Sequence, residues 1–263
     1  MPTLAIFGAG GKTGQETVKA AIAAGHSARA VGESSSRGKK KKKKKRPPPP
    51  HTFRLPLPLP SPVRSPSKYP PGTWPAGVAV VAGDVTDPST LPAALAGADA
   101  AICAASAAKG TLPAIVDDAG VGTLATAAKA AGLSRLVLVS SALVDPKNGW
   151  HPIRLLLNNM RPGKMMDAKF AGERRLAASG VPFTIIRPGG LTDGAGGVSA
   201  LVVSQGDHGS PGRVSRADVA RVCVAAALSP AAAGVTLELA ADPKKLAAEG
   251  PALATLFDGL VKG

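Results

Sequence analysis

The chain has 263 residues, 44% of them hydrophobic, and a formal net charge of +15, a size that accommodates one large α/β domain with a buried core. No apolar run approaches the roughly 18 residues of a membrane span and the first seven residues lack a presequence pattern, so we predict a soluble cytoplasmic protein, with plastid and nucleus as alternatives. Cys103 and Cys223 lie far apart in apolar stretches and the four histidines show no ligand spacing, which argues against disulfides and against a metal site.

The positive charge is concentrated in one tract. Residues 33–75 contain 12 of the 32 basic residues and one of the 17 acidic residues, which leaves a net charge of only +4 for the remainder. Seven lysines (39–45), four prolines (47–50) and then Leu-Pro and Ser-Pro pairs follow one another there. Because like charges repel and proline excludes helices and interior strands, we predict that residues 32–75 are a disordered low-complexity insertion. A retained intron in the gene would give the same pattern.

Residues 1–31 and 76–263 alternate between strand and helix patterns. Short apolar runs predict strands at Leu4–Phe7, Ala28–Val31, Val78–Val81, Ala100–Ala104, Arg135–Val139, Phe183–Ile186 and Val235–Leu239. Helical periodicity and capping residues predict helices at Thr13–Ala24, Ser89–Leu95, Val116–Ala131 and Met165–Ser179, and one opened by the capping box of Ser215 and Asp218. Repeated β-α-β units with right-handed crossovers form a doubly wound parallel sheet, so we predict a single α/β domain of the Rossmann type.

A glycine-rich loop stands between the first strand and the first helix. Glycines let the backbone turn sharply and approach a diphosphate, and the helix N-terminus offers it unpaired N–H groups. A bare glycine motif is also compatible with a tight strand–helix turn, but its place in a β-α-β chain favours cofactor binding. We therefore expect the loop to bind a nicotinamide dinucleotide through six residues: Gly8, Gly10, Gly11, Lys12, Thr13 and Gly14.

The glycine spacing is GxxGxxG, and with four further motifs it resembles the atypical short-chain dehydrogenase/reductases of the NmrA-like and biliverdin-reductase-B-like group. The motifs are Gly83-Asp84-Val85 and the stretches 139–142, 186–190 and 215–220. The resemblance covers nearly all of the chain outside residues 32–75 and is specific to the superfamily, not to a substrate. It implies that Asp84 and Val85 flank the adenine, that Ala104 and Ala105 lie beside the nicotinamide ribose, and that Pro188 contacts the cofactor.

The choice between NADP and NAD depends on the residues after the second strand. An acid there binds the ribose 2′-hydroxyl of NAD, and an arginine binds the 2′-phosphate of NADP. The family pattern is Arg-Asp-x-x-Arg; here Arg37 matches its second arginine, whereas Glu33 replaces the first and would repel a phosphate. We predict NADP, with NAD as the alternative.

The resemblance also implies where catalytic groups stand. In short-chain reductases a serine orients the substrate, a tyrosine protonates the carbonyl oxygen, and a lysine four residues later binds the ribose. Ser141 and Lys169 match the serine and the lysine, but Met165 stands in the tyrosine position, and the only tyrosine of the chain is Tyr69 in the basic tract.

Each of these positions also has a structural interpretation. Ser141 can bond a turn backbone, and Lys169 can pair with Glu173 one helical turn away. Asp167 and His151 are weaker candidates for a proton donor. Residues 148–164 either cover the nicotinamide side of the pocket or pack under a long loop.

Three functions are compatible with this sequence. The first is an oxidoreductase that passes hydride from NADPH to a small acceptor needing little acid catalysis, such as a quinone or flavin. The second is a non-catalytic NADP(H)-dependent sensor or assembly factor. The third is a nuclear or nucleic-acid role for the lysine run, which we do not favour because no aromatic residues interleave with the lysines. The oligomeric state is open.

Overall fold

A computed structural model describes residues 1–32, 74, 78–160, 162–208, 212–250 and 252–263. The strands in these ranges are β1 (Thr3–Phe7), β2 (Ser27–Gly32), β3 (Val78–Ala82), β4 (Ala100–Cys103), β5 (Arg135–Val139), β6 (Phe183–Pro188), β7 (Gly190–Thr192), β8 (Ser199–Ser204), β9 (Arg213–Ser215) and β10 (Val235–Leu246). The α-helices are α1 (Lys12–Ala23), α2 (Leu91–Leu95), α3 (Val121–Ala130), α4 (Pro152–Asn159), α5 (Met165–Ala178) and α6 (Arg216–Leu228). Residues Ala114–Gly120, just before α3, form a π-helix.

All ten of these strands belong to one sheet. Its order is β3-β2-β1-β4-β5-β6-β10-β9-β7, and β8 pairs with β10. Strands β1 to β6 run parallel, as does the pair of β6 and β10, so the predicted doubly wound α/β fold is confirmed. Strand β1 lies between β2 and β4, and the order reverses there. This is the switch point at which doubly wound sheets bind ligands.

The far edge of the sheet departs from the prediction. Strands β8 and β9 pair antiparallel with β10, which continues to Leu246 instead of ending at Leu239. Strands β7, β8 and β9 and helix α4 were not predicted. The sheet therefore carries an antiparallel extension beyond β6, on the side where the chain returns toward the crevice.

Alternating strand residues separate two apolar layers. Leu4, Ile6 and Ile102 face α1 and α6, in the layer that also contains Cys223. The neighbouring residues Ala5 and Phe7 face the opposite side, with α2, α3 and α5, in the layer that contains Cys103. Every residue of β5 is buried, as expected for a parallel strand covered by helices on both faces. Both cysteines are free and buried, as predicted.

The boundaries of the basic tract move slightly at both ends. Gly32 belongs to β2 and pairs with Ala82, and Trp74 packs partly against the layer of α1 and α6. The predicted disordered insertion covered residues 32–75, of which residues 33–73 and 75 lie outside the described residues. Within the described part of the chain, no helix is long and apolar enough to span a membrane.

Candidate functional site

The loop after β1 folds back on itself with the three glycines in different roles. Gly8 has φ of +75°, and a Cβ there would lie 2.6 Å from the backbone nitrogen of Ala105. A Cβ on Gly14 would overlap the carbonyl oxygen of Gly8. Gly11 donates its N–H to that same carbonyl over 2.9 Å, and a Cβ on Gly11 would meet only this oxygen, at 3.3 Å. Gly8 and Gly14 are therefore required by packing, whereas a Cβ on Gly11 would make one tight backbone contact and no overlap.

Helix α1 begins at this loop with its first N–H groups available. Gly11 is the N-cap residue in an extended conformation, and no side chain among the described residues caps the helix. The N–H groups of Lys12, Thr13 and Gly14 belong to the first turn, whose donors have no intrahelical partner. With the positive end of the helix dipole, they form a cradle that fits the diphosphate of a dinucleotide.

An acidic residue that the sequence analysis missed lies beside this cradle. Asp193, just after β7, forms an ion pair with Lys12 (Nζ to Oδ2, 2.6 Å) and a second one with Arg216 at the start of α6. The hydrogen bond from Lys12 is the main reason why the pKa of Asp193 is lowered. The Lys12 ammonium thus points across the crevice, and its backbone rather than its side chain borders the cradle.

The predicted adenine side has well-defined local structure. The Asp84 carboxylate accepts hydrogen bonds from the N–H and the hydroxyl of Thr86, both at 2.8 Å, and its own N–H donates to Thr90 Oγ1. Val85 is buried, and its side chain packs against Gly120, the residue just before α3. Asp84 therefore shapes the turn after β3, and Val85 anchors that turn to the core. Their contact with adenine stays a prediction.

The other strand ends converge on the glycine loop. The N–H of Ala104 donates to the carbonyl of Phe7 over 3.0 Å, and the N–H of Ala142 donates to the carbonyl of Pro188 at the same distance. Ala105 packs against Gly8. The carboxyl ends of the parallel neighbours β1, β4, β5 and β6 thus lie side by side at the edge of the sheet that carries the glycine loop.

The two predicted catalytic positions have different partners. The Ser141 hydroxyl donates to the carbonyl of the next residue, Ala142, at 3.0 Å, which is the turn-backbone bond considered from sequence. Lys169 forms an ion pair with Asp117 in the π-helix, at 2.9 Å, and both side chains are largely buried. Sequence analysis missed Asp117, although in a regular helix over Val116–Ala131 it falls on the same face as the buried Val121, Leu124, Ala125 and Ala128, where a charged side chain needs a partner.

The alternative pairing of Lys169 with Glu173 is wrong. Glu173 is buried and binds Arg187 of β6 through two hydrogen bonds of 3.1 and 2.6 Å. Arg187 also contacts Glu238 on the neighbouring strand β10, at 3.3 Å. A guanidinium binds a carboxylate through two parallel hydrogen bonds, and both oxygens of Glu173 bind Arg187 of the sheet in this way. Glu173 is therefore the partner of Arg187 and not of Lys169.

The weaker candidates for a proton donor are occupied elsewhere. Met165, at the family's tyrosine position, is the first residue of α5. Asp167 is bound by the buried Arg154 at 2.5 Å. The His151 Nδ1 accepts a hydrogen bond from the N–H of Ile153 and caps α4. Tyr69 lies outside the described residues, as do Arg37 and Glu33.

A third residue that sequence analysis missed organises the loops beyond β5 and β8. The buried carboxylate of Asp207 accepts hydrogen bonds from the N–H groups of Leu143 (2.6 Å) and Asp145 (2.8 Å) and from the Asn148 amide (3.0 Å). Beside it lies a cavity of about 510 Å³, lined by Lys147, Asn148, Trp150, His151, Pro152, Asp207 and His208. The Trp150 side chain is 75% exposed. Part of residues 148–164 therefore forms a cavity wall rather than packing under a loop.

A family comparison matches this chain over most of its length. The sequence model of a family described as NAD(P)H-binding matches residues 58–230. The match begins after the glycine loop and includes Asp84, Asp117, Ser141 and Lys169.

The chain is similar to two relatives, one of them named as a reductase, and to the solved structure of a reductase. An uncharacterized chloroplastic protein of Arabidopsis thaliana is 34% identical over 188 residues, 63% of this chain and 56% of that protein. The sanguinarine reductase of Eschscholzia californica is 34% identical over 191 residues, 57% of this chain and 67% of that protein. The chain thus spans about half to two thirds of these relatives. The solved anaerobillin reductase of Escherichia coli O157:H7 is 25% identical, with a TM-score of 0.65, over 92% of this chain and 98% of that one.

Proposed function

Because this chain belongs to the NAD(P)H-binding family, and its relatives include reductases, we propose that it is an oxidoreductase that uses NADPH to reduce a planar acceptor such as a quinone or flavin. The bound dinucleotide supplies the hydride. The protein holds the diphosphate at the N-terminus of α1, lines the nicotinamide side with Ala104, Ala105 and Pro188, and offers Lys169 to the ribose.

The observation that carries this proposal is the residue at the start of α5. Met165 stands where short-chain reductases place their proton donor, and Ser141, Asp167 and His151 are engaged with other partners. Among the residues that the structure describes, an alkoxide forming at this site would find no general acid at the family's tyrosine position, and such an acid typically contributes a factor of about 10²–10⁴. An acceptor whose reduced form is a delocalised anion does not need that proton during hydride transfer.

We propose that the cavity beside Asp207 receives the acceptor. It has the exposed indole of Trp150 on its wall. Along α4 and just after it, four further apolar residues are exposed: Ile153, Leu155, Leu156 and Met160. Aromatic rings stack on an indole face, so we assign this wall to the acceptor ring.

Steady-state NADPH oxidation tests the proposal. A quinone, FMN and an aldehyde are compared as acceptors with wild type, Ser141→Ala and Trp150→Ala. We expect turnover with the quinone or FMN, negligible turnover with the aldehyde, and a raised acceptor KM for Trp150→Ala. Efficient aldehyde reduction would overturn the proposal, because it requires a proton donor. Tight NADPH binding without any turnover would instead support a sensor or assembly function.

The preference for NADPH is proposed from Arg37 alone. If its guanidinium binds the 2′-phosphate, Arg37→Ala weakens NADPH by roughly 1.5–3 kcal/mol, the value of a charged hydrogen bond, and leaves NADH unchanged. Calorimetric titration with both cofactors measures this. Equal weakening of both would shift the assignment to NAD through Glu33.

The compartment is proposed from the sequence pattern as cytoplasmic. The Arabidopsis relative is named chloroplastic, so the plastid is the specific alternative. A fluorescent protein fused to the C-terminus distinguishes them, since plastid import would carry the fluorescence into the organelle.

A further inference from the structure

Asp117 is a buried carboxylate whose partners among the described residues are Ser106, Ala107 and Lys169. Its Oδ1 accepts from the Ser106 hydroxyl at 2.7 Å and lies 2.9 Å from Lys169 Nζ. Its Oδ2 accepts the N–H of Ala107 at 2.9 Å. The side chain is only 1% exposed, and that of Lys169 is 13% exposed. Both oxygens are thus fixed, and the carboxylate cannot rotate without losing a bond.

Three elements meet at this carboxylate. Asp117 lies in the π-helix Ala114–Gly120, a rare geometry that occurs mostly as local insertions at functional sites. Ser106 and Ala107 follow β4 directly after Ala105, the residue that packs on Gly8. Lys169 lies on α5, one turn before Gly172, where a Cβ would overlap the Asp117 carbonyl oxygen. The close approach of α5 to the π-helix therefore sets where the Lys169 ammonium stands.

We propose that Asp117 is a positioning residue that holds the Lys169 ammonium toward the nicotinamide ribose, through the ion pair between Lys169 Nζ and Asp117 Oδ1. A buried ammonium requires a partner, and the Lys169 ammonium uses one of its three N–H donors on Asp117. Its two other donors have no partner among the described residues and can bind ribose hydroxyls. The inference rests on the proposed function, because it needs NADPH to occupy the crevice.

A cofactor fragment separates positioning from a general structural role. Binding of NADPH and of adenosine 2′,5′-bisphosphate, which lacks the nicotinamide ribose, is measured by calorimetry for wild type, Asp117→Asn, Lys169→Ala and the double variant. We expect each single variant to weaken NADPH by roughly tenfold or more, as for a hydrogen bond to a charged group. The fragment should bind all four proteins equally, and the double variant should bind NADPH no more weakly than Lys169→Ala.

The matched control is Asp118→Asn. Asp118 is the next residue of the same π-helix, but it pairs with Arg175 on the surface, so this variant should leave NADPH affinity unchanged. If Asp117→Asn does not fold, Ser106→Ala replaces it; this variant removes one bond to the carboxylate and should weaken NADPH about threefold, at the lower end of a single hydrogen bond.

Three results would overturn the inference. The first is equal loss of NADPH and fragment affinity in Asp117→Asn, which would make the residue structural. The second is additive losses in the double variant, which would separate Asp117 from Lys169. The third is weaker NADPH binding in Lys169→Ala together with unchanged binding in Asp117→Asn. A wild-type protein that binds the fragment but not NADPH would contradict the proposed function itself.

Discussion

At the scale of single residues, the glycine loop depends on positions where an added Cβ atom would collide with the backbone. Gly8 and Gly14 are required by the close contacts of the loop with itself and with β4. A Cβ on Gly11 would meet a single backbone oxygen, at 3.3 Å, so a side chain there disturbs the loop less than one at Gly8 or Gly14. The same motif therefore contains residues whose substitution has two different outcomes.

Gly11→Val and Gly14→Ala should separate binding from folding. We expect Gly11→Val to abolish NADPH binding with an unchanged far-UV circular dichroism spectrum, because its side chain occupies the space of the diphosphate. Gly14→Ala should lower the free energy of unfolding by about 1–3 kcal/mol or more, since its Cβ overlaps the Gly8 carbonyl. Calorimetry and thermal melting measure both effects, and unchanged NADPH affinity in Gly11→Val would remove the loop from the site.

The buried carboxylate of Glu238 makes the stability depend on pH. Burial raises its pKa above the ordinary glutamate value, about 4.3. Its contribution to the free energy of unfolding is therefore fully present when the pH is below that ordinary value. The contribution is lost as the pH rises through the raised pKa. We expect the melting temperature of wild type, relative to Glu238→Gln, to fall as the pH increases from about 4.3 and then to level off above the raised value. Glu249→Gln, at an exposed position, is the control and should show no such trend.

At the scale of elements, the sequence predicted those strands and helices that depend on local residue patterns. Strands β1 to β6 and helices α1, α3, α5 and α6 follow from apolar runs, helical periodicity and caps. Strand β8 and the extension of β10 depend on their mutual pairing, which is non-local, and α4 is a short helix capped by a histidine.

In the candidate site, too, sequence analysis identified the part that has a local motif and missed the part that depends on distant contacts. The glycine loop was found from its motif, but the partners of Lys169 were not. The 3.6-residue periodicity puts Asp117 on the same helix face as Val121 and Leu124, so its burial could have been predicted. Its partners Ser106 and Lys169 are distant in sequence, and no local pattern identifies such non-local contacts.

Two glycines in neighbouring helices should respond differently to alanine. On α5, Gly172→Ala should destabilise the protein by about 1–3 kcal/mol or more, because the added Cβ overlaps the backbone of the π-helix. On α3, the Cβ of Gly122→Ala meets only the side chain of Arg175, which is exposed and can move. The gain in helix propensity, about 1 kcal/mol, then offsets that adjustment. Urea denaturation compares the two, and similar losses in both would show that α5 tolerates displacement.

At the scale of the whole molecule, the sheet is continuous across the basic tract. Strands β2 and β3 pair in register from Ala28 with Val78 to Gly32 with Ala82. Because the strands are parallel, the connection must return along about five residues, or roughly 17 Å at 3.3 Å per residue. The tract is far longer than this crossover requires.

Deleting residues 38–72 tests how much the tract contributes. The ten residues that remain between the strands reach about 33 Å when extended, enough for the return. If the tract is disordered as predicted, the melting temperature should change by less than about 2 °C and NADPH affinity should stay the same. The control Trp74→Ala should lower the melting temperature of the full chain, because Trp74 packs against the core. Loss of folded protein on deletion would show that the tract contains structure.

The two cysteines lie in opposite apolar layers of the sheet, and this gives the chain an internal reporter of its opening kinetics. Burial raises the pKa of Cys103 to about 11 and that of Cys223 to about 12, so neither thiol reacts with a maleimide until its layer opens. Labelling of Cys103 therefore times the exposure of the α2, α3 and α5 side, and labelling of Cys223 times the exposure of the α1 and α6 side. Equal rates would mean that both layers open in one cooperative event, and unequal rates would identify the half of the molecule that yields first.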